Sequence, residues 1–281
     1  MLKIKSDEVE KAIVDVADQF IVPRFRNLKA GEIHFKGEDD PYTIADKEAE
    51  LALSERLLAL LPPSKVVGEE AFASDSGLLG HFSGDSPVWI IDPVDGTKAF
   101  IAGEPVYGVI VALTEQNQTI AAWLYDPTSR EFITAEKGAG AYYKGQRLSV
   151  LPPAPIAQMS GVIGARIIDA FHACAENAPT EKPTFHRMLS SCHDYARLVV
   201  GGPHFSRRTT QAHFHTWLNS CTPWDCAAGI LIHGEAGGHT AHWNGDPFQP
   251  SHYQRGLLSA PDPDSWHALR GWISQFCEMP E

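Results

Sequence analysis

The chain has 281 residues, 43% of them hydrophobic and 21% charged, with a formal net charge of −12. That length buries a sizeable core in one large or two modest domains without covalent staples, and the composition is that of an ordinary globular protein. The acidic balance excludes nucleic acid and an anionic membrane as main partners, since both require a basic face.

The first twenty residues lack the apolar segment of a signal peptide, and no apolar run approaches the roughly 18 residues of a membrane span. Residues 6 to 28 place Val9, Ile13, Val14, Ala17, Phe20, Ile21 and Phe25 at helical spacing, with Ser6 as a cap and Pro23 as a kink or break. "GEIHFKGEDDPY" reads as a strand-and-loop excursion. A second helix is expected from about Ile44 to Leu61, stopped by Pro62 and Pro63. "SKVVGEE" and "SPVWIID" read as short strands ending in acid. "YGVIVALTEQNQTIAAWLYDP" and "EFITAEKGAGAYYKGQRLSV" read as hairpins. The proline-rich "LPPAPIA", 151 to 157, marks a candidate boundary between domains 1–150 and 151–281. Beyond it a strand is expected at 160–165, and helices at 167–175, 194–200 and 225–233. Strands and helices in both halves imply layered mixed sheets.

Cys174, Cys192, Cys221, Cys226 and Cys277 are odd in number and include no C-x-x-C pair. They read as reduced thiols of a cytoplasmic protein rather than zinc ligands. The 13 histidines are scattered without metal-binding spacing.

The acids carry more information. Glu69 follows "KVVG", Asp92 follows "VWII", and Asp95 comes one turn later, behind Pro93 and Val94. Strand ends are where α/β proteins place their chemistry. Asp46 lies one turn into its helix, and Asp225, which opens an apolar helix, taken alone reads as an N-cap. As a set, oxygen ligands without paired His or Cys select a hard cation such as Mg²⁺, because gathered carboxylates repel one another unless a cation neutralises them. A helix starting at "GTKAF" would offer free N–H groups to an anion. Cations beside an anion site suit a phosphate ester.

These residues resemble a known family. "WIIDPVDGTKAF" resembles the D-P-[IVL]-D-G-T signature of the inositol monophosphatase-like superfamily of metal-dependent, lithium-sensitive phosphatases. "VVGEE", "PYTIADKEAE", "PWDCAAGILIHGEAGG" and "GDPF" resemble its remaining elements, in the family's order. The resemblance implies a mixed α/β fold, a layered α/β/α/β/α sandwich of two domains. It implies two or three Mg²⁺ ions, with Glu69, Asp92 and the Val94 carbonyl on the first and Asp92, Asp95 and Asp225 on the second. Thr97 and Glu69 would orient and deprotonate the attacking water, supported by Asp46. The N–H groups of Gly96 and Thr97 would hold the phosphate, and Lys36 would stand at the rim. The implied reaction is hydrolysis of a small alcohol or polyol phosphate of the inositol monophosphate type by direct attack of a metal-activated water. Homodimers are common in the family, and one is expected here.

Substrate choice is where the chain departs. The spacer "SRRTTQAHFHTWLNSCT" is longer than in inositol-specific relatives, and neither aligned position, Arg208 or Leu218, is acidic. "TKAFIAGEP" is closer to histidinol-phosphate phosphatases of the superfamily. A 3′-phosphoadenosine or sugar-bisphosphate phosphatase is a further alternative, and a catalytically weak binding protein would require a missing ligand. Arg207, Arg208, His213, His215 and Trp217 are read as a solvated loop in preference to a pocket wall, with Arg208 the substrate-binding candidate among them. Trp224, Cys226 and His233 are read as packing residues.

Overall fold

The computed structural model describes residues 5–174, 179, 181–201, 210–252 and 255–278. The first helix, α1 (Ser6–Val16), buries Val9, Ala12, Ile13 and Val16. It continues as a π-turn over Ala17–Ile21 and a 3₁₀ turn over Val22–Arg24. Helical structure therefore stops beside Pro23 rather than at residue 28, because proline gives no N–H to the ladder. A hairpin of β1 (Ile33–Gly37) and β2 (Asp40–Thr43) leads into α2 (Ile44–Leu60), which ends ahead of Pro62–Pro63 as its sequence requires.

Next come β3 (Lys65–Gly68), α3 (Glu69–Ser74), β4 (Val88–Asp95), α4 (Thr97–Ile101), β5 (Gly108–Glu115), β6 (Gln118–Asp126), β7 (Glu131–Glu136), β8 (Gly140–Tyr143) and β9 (Gln146–Arg147). The seven strands from β3 to β9 form one sheet in sequence order. Only the β3–β4 pair in it is parallel. Side chains alternate across the regular stretches of this sheet, as strand geometry demands. Ile90, Ile110, Ala112 and Leu124 face one side, and Trp89, Ile91, Val111, Leu113 and Trp123 face the other.

The remaining elements are β10 (Ser160–Ile163), α5 (Ala165–Ala173), β11 (Thr184–Arg187), α6 (Ser191–Val199), β12 (Phe214–Ser220), α7 (Pro223–Glu235), β13 (His239–His242), β14 (Arg255–Ala260) and α8 (Pro263–Ile273). Their strands form a second sheet in the order β11-β10-β12-β14-β13. Three apolar clusters define five layers. The first joins α1 and α2 to one face of the large sheet. The second joins its other face, through α6 and α7, to the small sheet. The third joins the far face of the small sheet to α5 and α8. The result is the α/β/α/β/α sandwich.

The structure corrects the reading of residues 213–217. Phe214–Ser220 is a strand in the middle of the small sheet, and His215 and Trp217 are buried. The His215 ring packs edge-on against both Tyr195 and Trp217. Burial lowers its pKa to about 3, so it stays neutral. Arg207 and Arg208 lie outside the described residues.

One glycine fixes how the middle layer closes. A Cβ at Gly229 on α7 would stand 2.1 Å from the Tyr195 ring of α6. No rotamer change on a fully buried tyrosine relieves that overlap. We expect Gly229→Ala to lower stability by about 1–3 kcal/mol through overpacking. The measurement is a denaturant midpoint shift at constant slope; an unchanged midpoint would show slack between α6 and α7.

Candidate functional site

The site begins at the end of β4, which is buried along its whole length. Asp92 pairs with Ile110 and Asp95 with Gly108, so three steps on β4 oppose two on β5. In a regular strand residues 92 and 95 would face opposite sides. The extra residue resets the alternation, and Pro93, with no N–H to donate, sits where the ladder is interrupted. Asp92 Oδ1 accepts the Val94 N–H at 3.1 Å. Gly96 follows at φ +83°, and a Cβ there would meet the Val106 carbonyl at 2.7 Å, so only glycine fits before α4.

α4 brings in Thr97. Its hydroxyl lies 3.2 Å from Asp46 Oδ1 and 3.0 Å from the Val94 carbonyl. Asp46 is held by a capping box at the start of α2, its Oδ2 accepting from the Thr43 N–H and hydroxyl. Asp225 enters from α7. It is the third residue of that helix, not its N-cap; Thr222 caps the helix and donates its hydroxyl to Asp225 Oδ2. Ser191 Oγ donates to Asp225 Oδ1 at 3.2 Å. Trp224 packs on Phe72, and Cys226 and His233 are buried, as expected of packing residues.

One carboxylate oxygen from each of Asp92, Asp95 and Asp225 lies within 4.8 Å of the others. Burial, and then the neighbouring acids, push the Asp92 pKa far above the carboxylate range. Burial also raises Asp95, and burial with Asp95 and Glu69 lifts Asp225 to about 7. Asp46, desolvated, stands at about 6. Glu69 contributes to this field, while its own carboxylate accepts from Lys36 Nζ at 2.8 Å. Lys36 also pairs with Glu70 at 2.6 Å. Burial alone would lower the Lys36 pKa, but these carboxylates outweigh it and raise it. Glu50 caps α3, accepting from the N–H groups of Glu70 and Ala71 at 2.8 Å. A Cβ on Gly68 would strike that Glu50 carboxylate, which explains the glycine of "VVGEE".

The trio therefore contains carboxylate oxygen and no nitrogen or sulfur donor, which suits a hard divalent cation. The repulsion among its members would be removed by one. Sequence reasoning missed Ser190, Ser191 and Thr222, whose hydroxyls hold Asp95 and Asp225. A signal existed in "SSCHD", a helix-capping pattern, but nothing local ties it to acids distant in sequence. Arg208 lies outside the described residues.

Residues 5–279 match the profile of the inositol monophosphatase family. The chain belongs to that family. It is 28% identical over 244 residues to an inositol monophosphatase of Dictyostelium discoideum, covering 85% of this chain and 86% of that protein. It is 30% identical over 217 residues to a histidinol-phosphatase of Chlorobaculum parvum, covering 74% of each. A solved Thermotoga maritima IMPase superposes with a TM-score of 0.77 at 21% identity, covering 96% of this chain and 97% of that one. Family membership makes the protein a phosphoric monoester hydrolase acting on a small phosphate ester, in a family that generally uses divalent metal ions. Among the described residues no helix is long and apolar enough to cross a membrane.

The raised carboxylates set a pH dependence. Asp225, Glu50 and Glu70 stand at about 7 and Asp194 at about 8, all lifted mainly by burial. The folded chain thus keeps protons that the unfolded chain, with carboxylates near 4, loses. That stabilisation is complete at acid pH and is lost as pH rises through the folded values. Between pH 6.5 and 8 in a chelator, the thermal midpoint should fall. A saturating divalent cation should raise it more at pH 8 than at 6.5. A chelated midpoint that climbs over this range would contradict the acidic cluster.

Proposed function

We propose that this family member is a Mg²⁺-dependent phosphatase of small polyol or alcohol monophosphates, of the inositol monophosphate type. The observation that carries the reading is the trio of Asp92, Asp95 and Asp225, the first two buried and the third half-buried, at the end of β4 and the start of α7. Asp92, Glu69 and the Val94 carbonyl would hold one ion, and Asp92, Asp95 and Asp225 a second. When bound, the ions supply electrophilic stabilisation of phosphoryl and leaving-group oxygens and make water a better nucleophile.

The chain's own residues position and move protons around that chemistry. The Thr97 hydroxyl, within reach of Asp46 Oδ1, takes up the proton of the attacking water and passes its own to Asp46. With a pKa of about 6, Asp46 is ionised and able to accept at neutral pH. Glu69 shares in this role. The N–H groups of Gly96 and Thr97, at the opening of α4, hold phosphate oxygens. Lys36 keeps Glu70 as a partner when Glu69 turns to a cation, and so brings positive charge to the rim. The halves 1–150 and 151–281 act as two domains. The first carries the large sheet and most ligands, and the second carries the small sheet and Asp225. Family membership, the net charge of −12 and five free cysteines support a cytoplasmic homodimer that uses neither nucleic acid nor a membrane. Lithium inhibition is expected with the metal site.

A second reading, histidinol phosphate as substrate, is favoured by "TKAFIAGEP" and by the Chlorobaculum parvum relative. Phosphate release from inositol 1-phosphate, histidinol phosphate, fructose 1,6-bisphosphate and 3′-phosphoadenosine 5′-phosphate separates the candidates. Asp92→Asn should reduce Mg²⁺-dependent release by at least about a hundredfold, the worth of several kcal/mol of charge stabilisation, while the chain stays folded. Undiminished hydrolysis by that variant would sink the metal assignment.

A further inference from the structure

Asp95 differs from its two acidic neighbours in how it is held. It sits against the first turn of α6. Its Oδ1 accepts the Ser191 N–H at 3.0 Å. Its Oδ2 accepts the Cys192 N–H at 2.8 Å and the Ser190 hydroxyl in a short hydrogen bond. Each carboxylate oxygen has two acceptor positions. Both on Oδ2 are taken, and Oδ1 keeps one, the position left for a cation.

The Ser190 hydroxyl has a single proton, and it goes to Asp95. The contact of 3.0 Å between Ser190 Oγ and His193 Nδ1 is then a hydrogen bond only if Nδ1 is the donor. That fixes the ring, whose Nε2 stands 3.9 Å from Asp126 Oδ2, beyond hydrogen-bond distance, and forms an ion pair with it when Nε2 too carries a proton. Asp126 is in turn fully buried and anchored by the Thr128 N–H and the Ser129 hydroxyl, each at 2.8 Å. Burial would raise its pKa, but His193 and these donors outweigh that and lower it. The chain from Asp126 through His193 and Ser190 to Asp95 crosses the large sheet from the end of β6 to the end of β4. It passes over Gly108 of β5, where a Cβ would meet Cys192 Sγ at 2.4 Å. The glycine lets the first turn of α6 lie flat across three strands.

We propose that Ser190 and His193, braced on Asp126, are positioning residues that fix the Asp95 carboxylate in the orientation needed to bind the second divalent cation. Neither touches substrate. The bracing fills Oδ2 and so presents the remaining position of Oδ1. It rests on the metal-dependent reading above, and it goes further by assigning the preorganisation of one ligand to three residues that bind no ion themselves.

The test is calorimetric Mg²⁺ binding to the full chain without substrate, alongside thermal unfolding and the Mg²⁺ concentration for half-maximal phosphate release. His193→Ala should weaken the affected Mg²⁺ site about tenfold or more, the usual cost of losing a residue behind a ligand. Ser190→Ala should do the same. The double variant should be no worse than either, because the two act as one unit. His193→Asn, whose amide N–H can replace Nδ1 as donor to Ser190, should recover most of the affinity. A merely structural histidine would lower the unfolding midpoint without moving Mg²⁺ affinity. Parent-like affinity in His193→Ala, multiplying losses in the double variant, or no recovery in His193→Asn would overturn the proposal. A parent chain that binds no Mg²⁺ would overturn the metal-dependent reading itself, and this with it.

Discussion

Mutual repulsion among buried carboxylates is the constraint that organises this protein. Asp92, Asp95 and Asp225 offer oxygens within 4.8 Å of one another, and Asp92 and Asp95 are almost completely buried. Such a group is costly in a low dielectric. The fold meets part of that cost with its own dipoles. Asp46 is in the first turn of α2, Glu69 and Glu70 open α3, and Asp225 is in the first turn of α7. Asp95 is set against the first turn of α6. Each position places negative charge at the positive end of a helix. A divalent cation held among them would remove the remainder.

The sandwich follows from this convergence. Helix N-termini from both sides of the large sheet can reach one strand end only if helices are layered on both faces. α2 approaches from the α1 side, and α6 and α7 from the face shared with the small sheet. Close approaches then become compulsory where the layers meet. Gly229 admits the Tyr195 ring, Gly108 admits Cys192, and Gly68 admits the Glu50 carboxylate. The motif glycines serve the fit of elements around the acids as much as chain flexibility.

The acids on β4 were legible because an apolar run ending in Asp92, with Pro93, Asp95 and Gly96 close behind, states a strand end and a turn; that the strand continues through a bulge to Asp95 was not. The end of α2 was legible from the double proline that stops it. The donors behind the acids were not. Ser190 and Ser191 mark only the start of a helix locally, and that they face Asp95 and Asp225 is a product of tertiary packing. β12 was missed because its polar letters, His215, Thr216 and Asn219, imitate a loop. It is central in a sheet, and Thr216 satisfies its hydroxyl on the Leu257 carbonyl. β11, β14 and α8 were passed over as well. α8 carried a fair signal in Asp262 as N-cap followed by Pro263.

The position of β12 bears directly on the substrate. A bisphosphate or nucleotide substrate needs a second cationic pocket, and its candidate in the spacer before α7 was the Arg207–Arg208 pair, which lies outside the described residues. Of the five cationic and aromatic residues singled out in that spacer, His215 and Trp217 belong to the core. Trp217 donates its indole N–H to Cys221 at 3.0 Å, and neutral His215 contacts Met188 at 3.1 Å. A histidine kept uncharged by burial offers no attraction to a phosphate, and a buried tryptophan offers no ring to a base. Lys36 is paired with Glu69 and Glu70. Strand β12 therefore supplies packing to the small sheet rather than charge to the centre, which leaves Arg207 and Arg208 as the candidates for a second phosphate.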